Sequence, residues 1–315
     1  MSTLKLIIVI PCYNEEAVLT ETLHRLYKLY ADMESEGLIT PNSKLLFVDD
    51  GSIDQTWPMI TAFHQQCECV CGVKLAHNAG HQNALWAGLS VAVEDADVMV
   101  TIDADLQDDI QTIPEMLKKY SEGFDIVYGV RRKRTTDTWF KRTTALTFYR
   151  LMKWLGVSTV YNHADFRLMS HRAVAQLLKY RERNLFLRGI VPQIGYSSAN
   201  VYYDRAERFA GESKYPLRKM LNFALDGITS FSNKPVRMVM GMGLLFLLVA
   251  FGIFCYVIVQ LLSGHTVAGW ASMILSLWFV AAILLISMGI IGEYIGKIYI
   301  EVKDRPRYNI EKVIK

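Results

Sequence analysis

Between Met238 and Gly292 the chain carries no Asp, Glu, Lys or Arg. That absence restricts the fold more than any other feature. A water-exposed helix keeps a polar stripe opposite its apolar one, and a helix apolar all round must be buried in protein or lipid. The span divides at Ser263-Gly264-His265-Thr266 into two apolar segments, Met238–Leu262 and Val267–Ile291. Each exceeds the ~20 residues that cross a bilayer core as a helix. The sequence therefore predicts a two-helix transmembrane hairpin within residues 236–292. Lys234 and Arg237 precede it, Lys297, Lys303, Arg305 and Arg307 follow it, and the connecting loop has no basic residue. The positive-inside rule then places both termini in the cytoplasm and the loop outside. Leu4–Ile10 runs straight into Pro11 without a cleavable small-residue site, so no signal peptide is expected there.

Ahead of the hairpin, β-rich runs alternate with helical patterns. Lys5–Ile10, Leu45–Val48, Val70–Leu75, Val98–Ile102 and Ile126–Tyr128 read as strands. Glu16–Glu36, Thr56–Gln66, Gln82–Val93 and Ile110–Glu122 read as helices, the last with Pro114 in its first turn. Such alternation implies an α/β domain with a mainly parallel, Rossmann-like sheet covered on both faces. Ligands of these sheets bind outside the carboxyl ends of the strands. The polar turns Pro11–Glu15, Asp49–Ser52, Asn78–His81 and Asp103–Gln107 all fall at those ends. The expected organisation is a soluble domain over 1–215, an amphipathic interfacial segment over 216–235, the hairpin, and a cytoplasmic interfacial tail over 293–315. Leu217–Phe231 and Tyr294–Val313 carry the amphipathic patterns. A formal charge of +3, with no dense basic tract dominating, is too small to argue for a nucleic-acid partner. Cys67, Cys69 and Cys71 alternate without C-x-x-C spacing and read as ordinary buried thiols of a reducing compartment.

The chemistry concentrates in Val100–Asp109, VTIDADLQDD. Apolar residues run up to Asp103 and Asp105, with only Ala104 between. Successive side chains of a strand point to opposite faces, so two carboxylates serve one cation best where the strand ends and turns. A hard cation such as Mg²⁺ commonly bridges carboxylates to substrate phosphates. Asp49 or Asp50 is placed to accept hydrogen bonds from ribose hydroxyls or base N–H groups. Neither G-x-x-x-x-G-K-[ST] nor G-x-G-x-x-G occurs. Charge neutralisation therefore falls to a metal and to arginines, which favours transfer of the group carried by a nucleotide diphosphate.

The motifs PCYNEE, FVDDGS, HNAGHQNALWAGL, DADLQ, DFRLMSHRAV and RFAGESKY, followed by two membrane helices, resemble bacterial polyprenyl-phosphate glycosyltransferases. These belong to glycosyltransferase family 2, have a GT-A fold, and are similar to dolichol-phosphate mannose synthases. The resemblance implies inverting transfer of a hexose from a nucleotide sugar to undecaprenyl or another polyprenyl phosphate. It implies UDP-glucose or UDP-N-acetylglucosamine as donor and Mg²⁺ or Mn²⁺ as cofactor. It also implies a bacterial inner-membrane location, a homo-oligomer, and a downstream flippase and envelope glycosyltransferase as partners. By the family pattern Pro11, Tyr13, Asn14 and Glu15 line the nucleobase pocket, Asp50 meets the nucleoside, and Asn78, Gly80 and Ala104 join the nucleotide-sugar site. Asp103 and Asp105 hold cation and diphosphate, with Gln107 a third metal-side residue. Arg131, Arg142 and Arg208 match arginines that bind the acceptor phosphate. Where many relatives have Arg-Asn-x-Gly, this chain has His77-Asn78-Ala79-Gly80.

Arginine suits these roles because its fork matches phosphate oxygens and stays charged. A lipid phosphate is mostly a dianion at pH 7, so the nucleophile needs no strong general base. Asp165 is the candidate base, with binding of the donor sugar or orientation of Arg167 as its competing role. A processive polysaccharide synthase would show Q-x-x-R-W, and no Arg-Trp occurs here. A non-catalytic membrane sensor would tolerate loss of the carboxylates, and Asp103, Asp105 and Gln107 are all present.

Overall fold

The computed structural model describes residues 3–105, 107–132, 163–183, 185–204, 234–263 and 269–315. They fall into two compact units. Residues up to Asp204, with Arg305–Lys315, make the first, and Lys234–Asp304 makes the second.

The apolar runs of the first unit form one eight-stranded sheet in the order β7-β5-β6-β4-β1-β2-β3-β8. Its strands are β1 (Leu6–Cys12), β2 (Lys44–Asp49), β3 (Val70–Leu75), β4 (Val98–Thr101), β5 (Ile126–Arg131), β6 (His163–Ser170), β7 (Ser198–Tyr203) and β8 (Ile310–Ile314). β1 pairs in parallel with β2 and β4, β2 with β3, and β5 with β7. β4 and β5 both pair antiparallel with β6, and β3 pairs antiparallel with β8. The predicted mainly parallel α/β sheet is present, with these antiparallel pairings as an addition. Five predicted strands match β1–β5 to within a few residues at their ends. β6, β7 and β8 were not predicted.

Helices α1 (Leu19–Ser35), α2 (Thr56–Gln66), α3 (His81–Ala92) and α4 (Ile113–Ser121, after a 3₁₀ turn at Ile110–Thr112) connect the first strands. Short helices α5 (His171–Leu177) and α6 (Leu187–Gln193) follow β6. The buried positions of α1, Leu19, Thr22, Leu26, Leu29, Tyr30 and Met33, recur every three or four residues, as a helix with one core face requires. Most of them join Leu6, Ile8, Ile10, Leu45 and Phe47 of the sheet in one core cluster.

The end of the chain departs from expectation. Residues assigned to an interfacial tail instead supply β8, whose Ile314 lies opposite Gly72. An edge strand leaves a row of unpaired backbone groups, and β8 covers that row on β3. Its approach is fastened by side chains of the same unit. Arg307 stacks on Trp86 at 4.3 Å and donates to the Tyr180 carbonyl at 2.8 Å. Tyr308 meets Ser90 at 3.0 Å, and Lys74 pairs with Glu311 at 2.9 Å. A second departure is a disulfide joining Cys67 and Cys69, where free thiols were expected; Cys12 and Cys71 are free and buried.

The second unit contains α7 (Lys234–Leu262, 29 residues) and α8 (Trp270–Val302, 33 residues). Windows at Val236–Ile253 and Phe279–Val302 have mean hydropathies of 2.2 and 2.0, so both helices are long and apolar enough to cross a membrane. Phe246 meets Phe279 edge to face at 5.9 Å. Met240, Leu248, Leu285 and Met288 stand exposed, apolar side chains of the kind that mark contact with lipid or protein where they cluster. α8 continues beyond the predicted boundary at 292. The predicted interfacial segment Leu217–Phe231 lies outside the described residues.

Candidate active site

The carboxyl ends of β1, β2 and β4 each release the chain into one of the predicted polar turns, and hydrogen bonds lace those turns together. Tyr13 is half exposed beyond β1. Asn14 adopts φ 54° and donates its amide to Ser52 Oγ at 2.9 Å, while its Oδ1 accepts from the Ile53 amide at 3.0 Å. The Glu15 amide donates to Thr56 Oγ1 at 2.9 Å. Pro11 is buried within β1, opposite Val48. Asn14 and Glu15 therefore tie the turns after β1 and β2 together through their backbones and an amide oxygen.

Asp50 closes the neighbouring turn. Its two oxygens accept the amides of Ala79 at 2.7 Å and Gly80 at 3.0 Å. Gly51 between the two turns has φ +68°, and a Cβ there would lie 2.5 Å from the His77 carbonyl carbon, so only glycine fits the approach. Asp49 is fully buried; its Oδ1 accepts from the Ser52 amide at 3.1 Å, and its Oδ2 has no hydrogen-bond partner. Burial pushes the carboxyls of both Asp49 and Asp50 up, against the hydrogen bonds they accept. Of the two aspartates left open by the sequence, Asp50 organises the Asn78–Gly80 turn and Asp49 holds the unsatisfied oxygen. Asn78 itself is exposed.

Asp103 and Asp105 follow β4. Ala104 is buried, and its carbonyl accepts from Thr22 Oγ1 of α1 at 2.7 Å, which fixes the turn between them. Asp105 Oδ1 accepts the Gln107 amide at 3.2 Å. Thr101 of β4 lies opposite Arg167 of β6, so extending that antiparallel register by two residues sets Asp103 against Asp165. A single imidazole nitrogen, His81 Nε2 at the start of α3, stands 3.6 Å from Asp103 Oδ1 and 3.8 Å from Asp165 Oδ2.

The electrostatics separate these two carboxylates. Asp103 Oδ1 is buried and accepts no hydrogen bond. Burial pushes the Asp103 carboxyl up to about 6; His81 opposes the shift, and Asp165, Asp108 and Asp105 add to it. Asp165 is buried as a whole, which alone would raise its carboxyl. The charges of Arg188 and Arg167, helped by His81, outweigh burial and hold it well below the usual carboxylate range. Arg167 reaches Asp165 Oδ1 at 2.5 Å and Arg188 reaches Oδ2 at 3.0 Å. A buried oxygen without a donor, on a carboxylate that burial resists ionising, fits a cation. Asp103, Asp105 and Gln107 could hold one there. Among the described residues no group of three His, Cys, Asp or Glu is spaced to cage a metal. One or two carboxylates completed by substrate phosphates is the usual arrangement for Mg²⁺.

Arg131 ends β5. Its Nη2 donates to Asp108 Oδ1 at 3.0 Å and its Nε to the Tyr203 hydroxyl at 3.3 Å. Arg142 and Arg208 lie outside the described residues. His81, Arg188, Asp108 and Tyr203 join the site without having been assigned roles from the sequence. The lone arginine in LFLRGIV was the available signal for Arg188, since a guanidinium in an apolar run needs an anion.

A sequence profile described as Glycosyl transferase family 2 matches residues 7–178. The chain is 56% identical to the uncharacterized glycosyltransferase YkoT of Bacillus subtilis, over 97% of this chain and 91% of that one. It is 39% identical to the SfII prophage-derived bactoprenol glucosyl transferase of Shigella flexneri, over 98% of each. Among solved structures, glucosyl-3-phosphoglycerate synthase from Mycobacterium tuberculosis matches with TM-score 0.50 and 19% identity, over 72% of this chain and 79% of that one, a likeness of fold alone.

Proposed function

Because the chain belongs to glycosyltransferase family 2, we propose that it transfers glucose from UDP-glucose to polyprenyl phosphate at the cytoplasmic face of a membrane. The observation that carries this reading is the buried, unbonded Asp103 Oδ1 at the end of β4, in a chain alike over its full length to a bactoprenol glucosyl transferase.

In the proposed reaction a phosphate oxygen of the lipid attacks the anomeric carbon and forms the new C–O bond. The bond from that carbon to the β-phosphate oxygen breaks, and its electrons leave with the nucleoside diphosphate, inverting the centre. Tyr13, Asn14, Glu15 and Asp50 would meet the nucleoside. Asp103, Asp105 and Gln107 would hold Mg²⁺ or Mn²⁺, which as a Lewis acid neutralises the departing diphosphate. Arg131 receives the acceptor phosphate, with Arg142 and Arg208 assigned the same task on sequence likeness. The dianionic nucleophile carries no proton to remove. Asp165, held ionised by Arg188 and Arg167, orients donor hydroxyls as an acceptor, and base catalysis is not its role.

The test offers purified full-length enzyme a panel of radiolabelled nucleotide sugars with undecaprenyl phosphate and Mg²⁺ or Mn²⁺. Label from UDP-glucose should enter organic-soluble lipid, and Asp105→Ala should abolish the transfer while the protein remains folded in membranes. Residual activity above about a tenth of wild type, less than the ~1.4 kcal/mol of one decade, would remove the metal-side assignment. Labelled polymer would favour a processive synthase, and binding without transfer from any donor a sensor.

A further inference from the structure

Asp108 and Tyr203 are buried polar residues to which the reaction above gives no task. They meet at one point. The Tyr203 hydroxyl donates to Asp108 Oδ1 at 2.5 Å, and Arg131 donates to both residues. The three come from separate parts of the site. Arg131 and Tyr203 are the last residues of β5 and β7 and lie opposite each other in the ladder. Asp108 belongs to the turn that carries Asp103 and Asp105. The Asp108 side chain is 1% exposed and that of Arg131 is 19% exposed.

We propose that Asp108 and Tyr203 are positioning residues that aim Arg131 at the acceptor phosphate and fasten it to the turn bearing the cation-binding carboxylates. The proposal rests on the assignment of Arg131 to that phosphate.

A buried carboxylate needs a charge partner and further hydrogen bonds. Asp108 obtains both from Arg131 and Tyr203. The two contacts take the Nε and Nη2 atoms, which lie on one edge of the planar guanidinium, so they set its plane and direction. A long side chain fixed in advance loses less conformational freedom when its ligand arrives. Tyr203 is fixed in its turn. Its ring meets Phe166 edge to face at 5.5 Å. Gly129 leaves room for that pair, since a Cβ there would lie 2.7 Å from Phe166 Cδ1 and 3.1 Å from Tyr203 Cε1. Burial and the Asp108 charge push the Tyr203 phenol well up, so it remains a donor at neutral pH. The Arg132 amide donates to the Tyr203 carbonyl at 2.9 Å, locking the two strand ends. The arginine thus stands in a frame shared with Asp103 and Asp105.

The experiment measures KM for undecaprenyl phosphate and for the nucleotide sugar that labels lipid, using full-length enzyme. The variants are Tyr203→Phe, Asp108→Asn, Arg131→Ala, and Tyr203→Phe combined with Arg131→Ala. Losing one hydrogen bond to a charged group should raise the lipid KM of Tyr203→Phe about tenfold. Its nucleotide-sugar KM should stay within about twofold, inside the error of such estimates. In the Arg131→Ala background Tyr203→Phe should change the lipid KM no further. If Tyr203→Phe lowers only Tm, or if the two effects on lipid KM multiply, the positioning role is overturned while the assignment of Arg131 stands. If Arg131→Ala leaves the lipid KM unchanged, it is that assignment that fails. Asp108→Asn is judged by the same criteria and replaces Tyr203→Phe should that variant not fold.

Discussion

Asp165 shows how neighbouring charges decide what a carboxylate does. The sequence offered Asp165, in DFRLMSHRAV, as a candidate base or sugar-binding residue, but its partners were only partly legible. Arg167, two residues on, was a plausible contact; Arg188, 23 residues on, comes to it because α6 packs against β6. Two guanidinia on a side chain 7% exposed make a cluster in which no member is dispensable. Asp165→Asn leaves both cations without their anion, and breaking a buried pair from one side costs about 3–5 kcal/mol. The pH dependence follows from the depressed carboxyl. Unfolded, Asp165 titrates near pH 3.9, and folded it titrates lower. Its stabilisation is therefore fully present above about pH 4 and lost as pH falls through the folded value. Thermal unfolding of both proteins should show the full gap from pH 8 down to about pH 5 and a narrowing only below about pH 4. A gap under about 1 kcal/mol at pH 7 would mean that solvent screens the cluster.

At the level of elements, β1 to β5 were readable because each buries both faces and so appears as an uninterrupted apolar run. β6 is equally central but carries Asp165 and Arg167, whose charges are compensated by partners distant in sequence. Local pattern cannot register such compensation, so DFRLMS did not read as a strand. β8 failed for a different reason. IEKVI presents Ile310, Lys312 and Ile314 on one face and Glu311 and Val313 on the other, a sequence that fits an exposed edge strand or an interfacial helix equally well. What decides is the unpaired edge of β3, supplied from residues 235 positions away or more. Ile314 fills the space above Gly72, with Ile60 on the same side. Ile314→Ala should therefore destabilise the first unit, by about 1–2 kcal/mol because Ile314 is only partly buried and a fully buried isoleucine loses ~2–5. Hydrogen exchange should accelerate at the amides of β3 and β8 before any other strand. Unchanged protection there, with Ile314→Ala folded, would mean that β8 is no integral part of the sheet.

For the whole molecule, the order of the chain sets a constraint that neither unit shows alone. The first unit takes strands from both sides of the second, since β7 precedes α7 and β8 follows α8. If α7 and α8 each cross a membrane, the chain returns to the side it left, as the pairing of β8 with β3 requires. A single crossing, or three, would strand the end of the chain across the bilayer. The basic residues on either flank, Lys234 and Arg237 before and Lys297, Lys303, Arg305 and Arg307 after, favour the cytoplasm for both ends. On that reading His265, between α7 and α8 in sequence, is expected outside. In intact cells a membrane-impermeant maleimide should label His265→Cys above the unsubstituted background. Asp32→Cys, on the exposed side of α1, should react only after the membrane is permeabilised. Labelling of Asp32→Cys in intact cells would reverse the orientation, and would place the proposed nucleotide-sugar site on the side where nucleotide sugars are not made. Protection of both positions until permeabilisation would break the hairpin reading itself, leaving α7 and α8 to cover their apolar surface within an assembly instead of lipid.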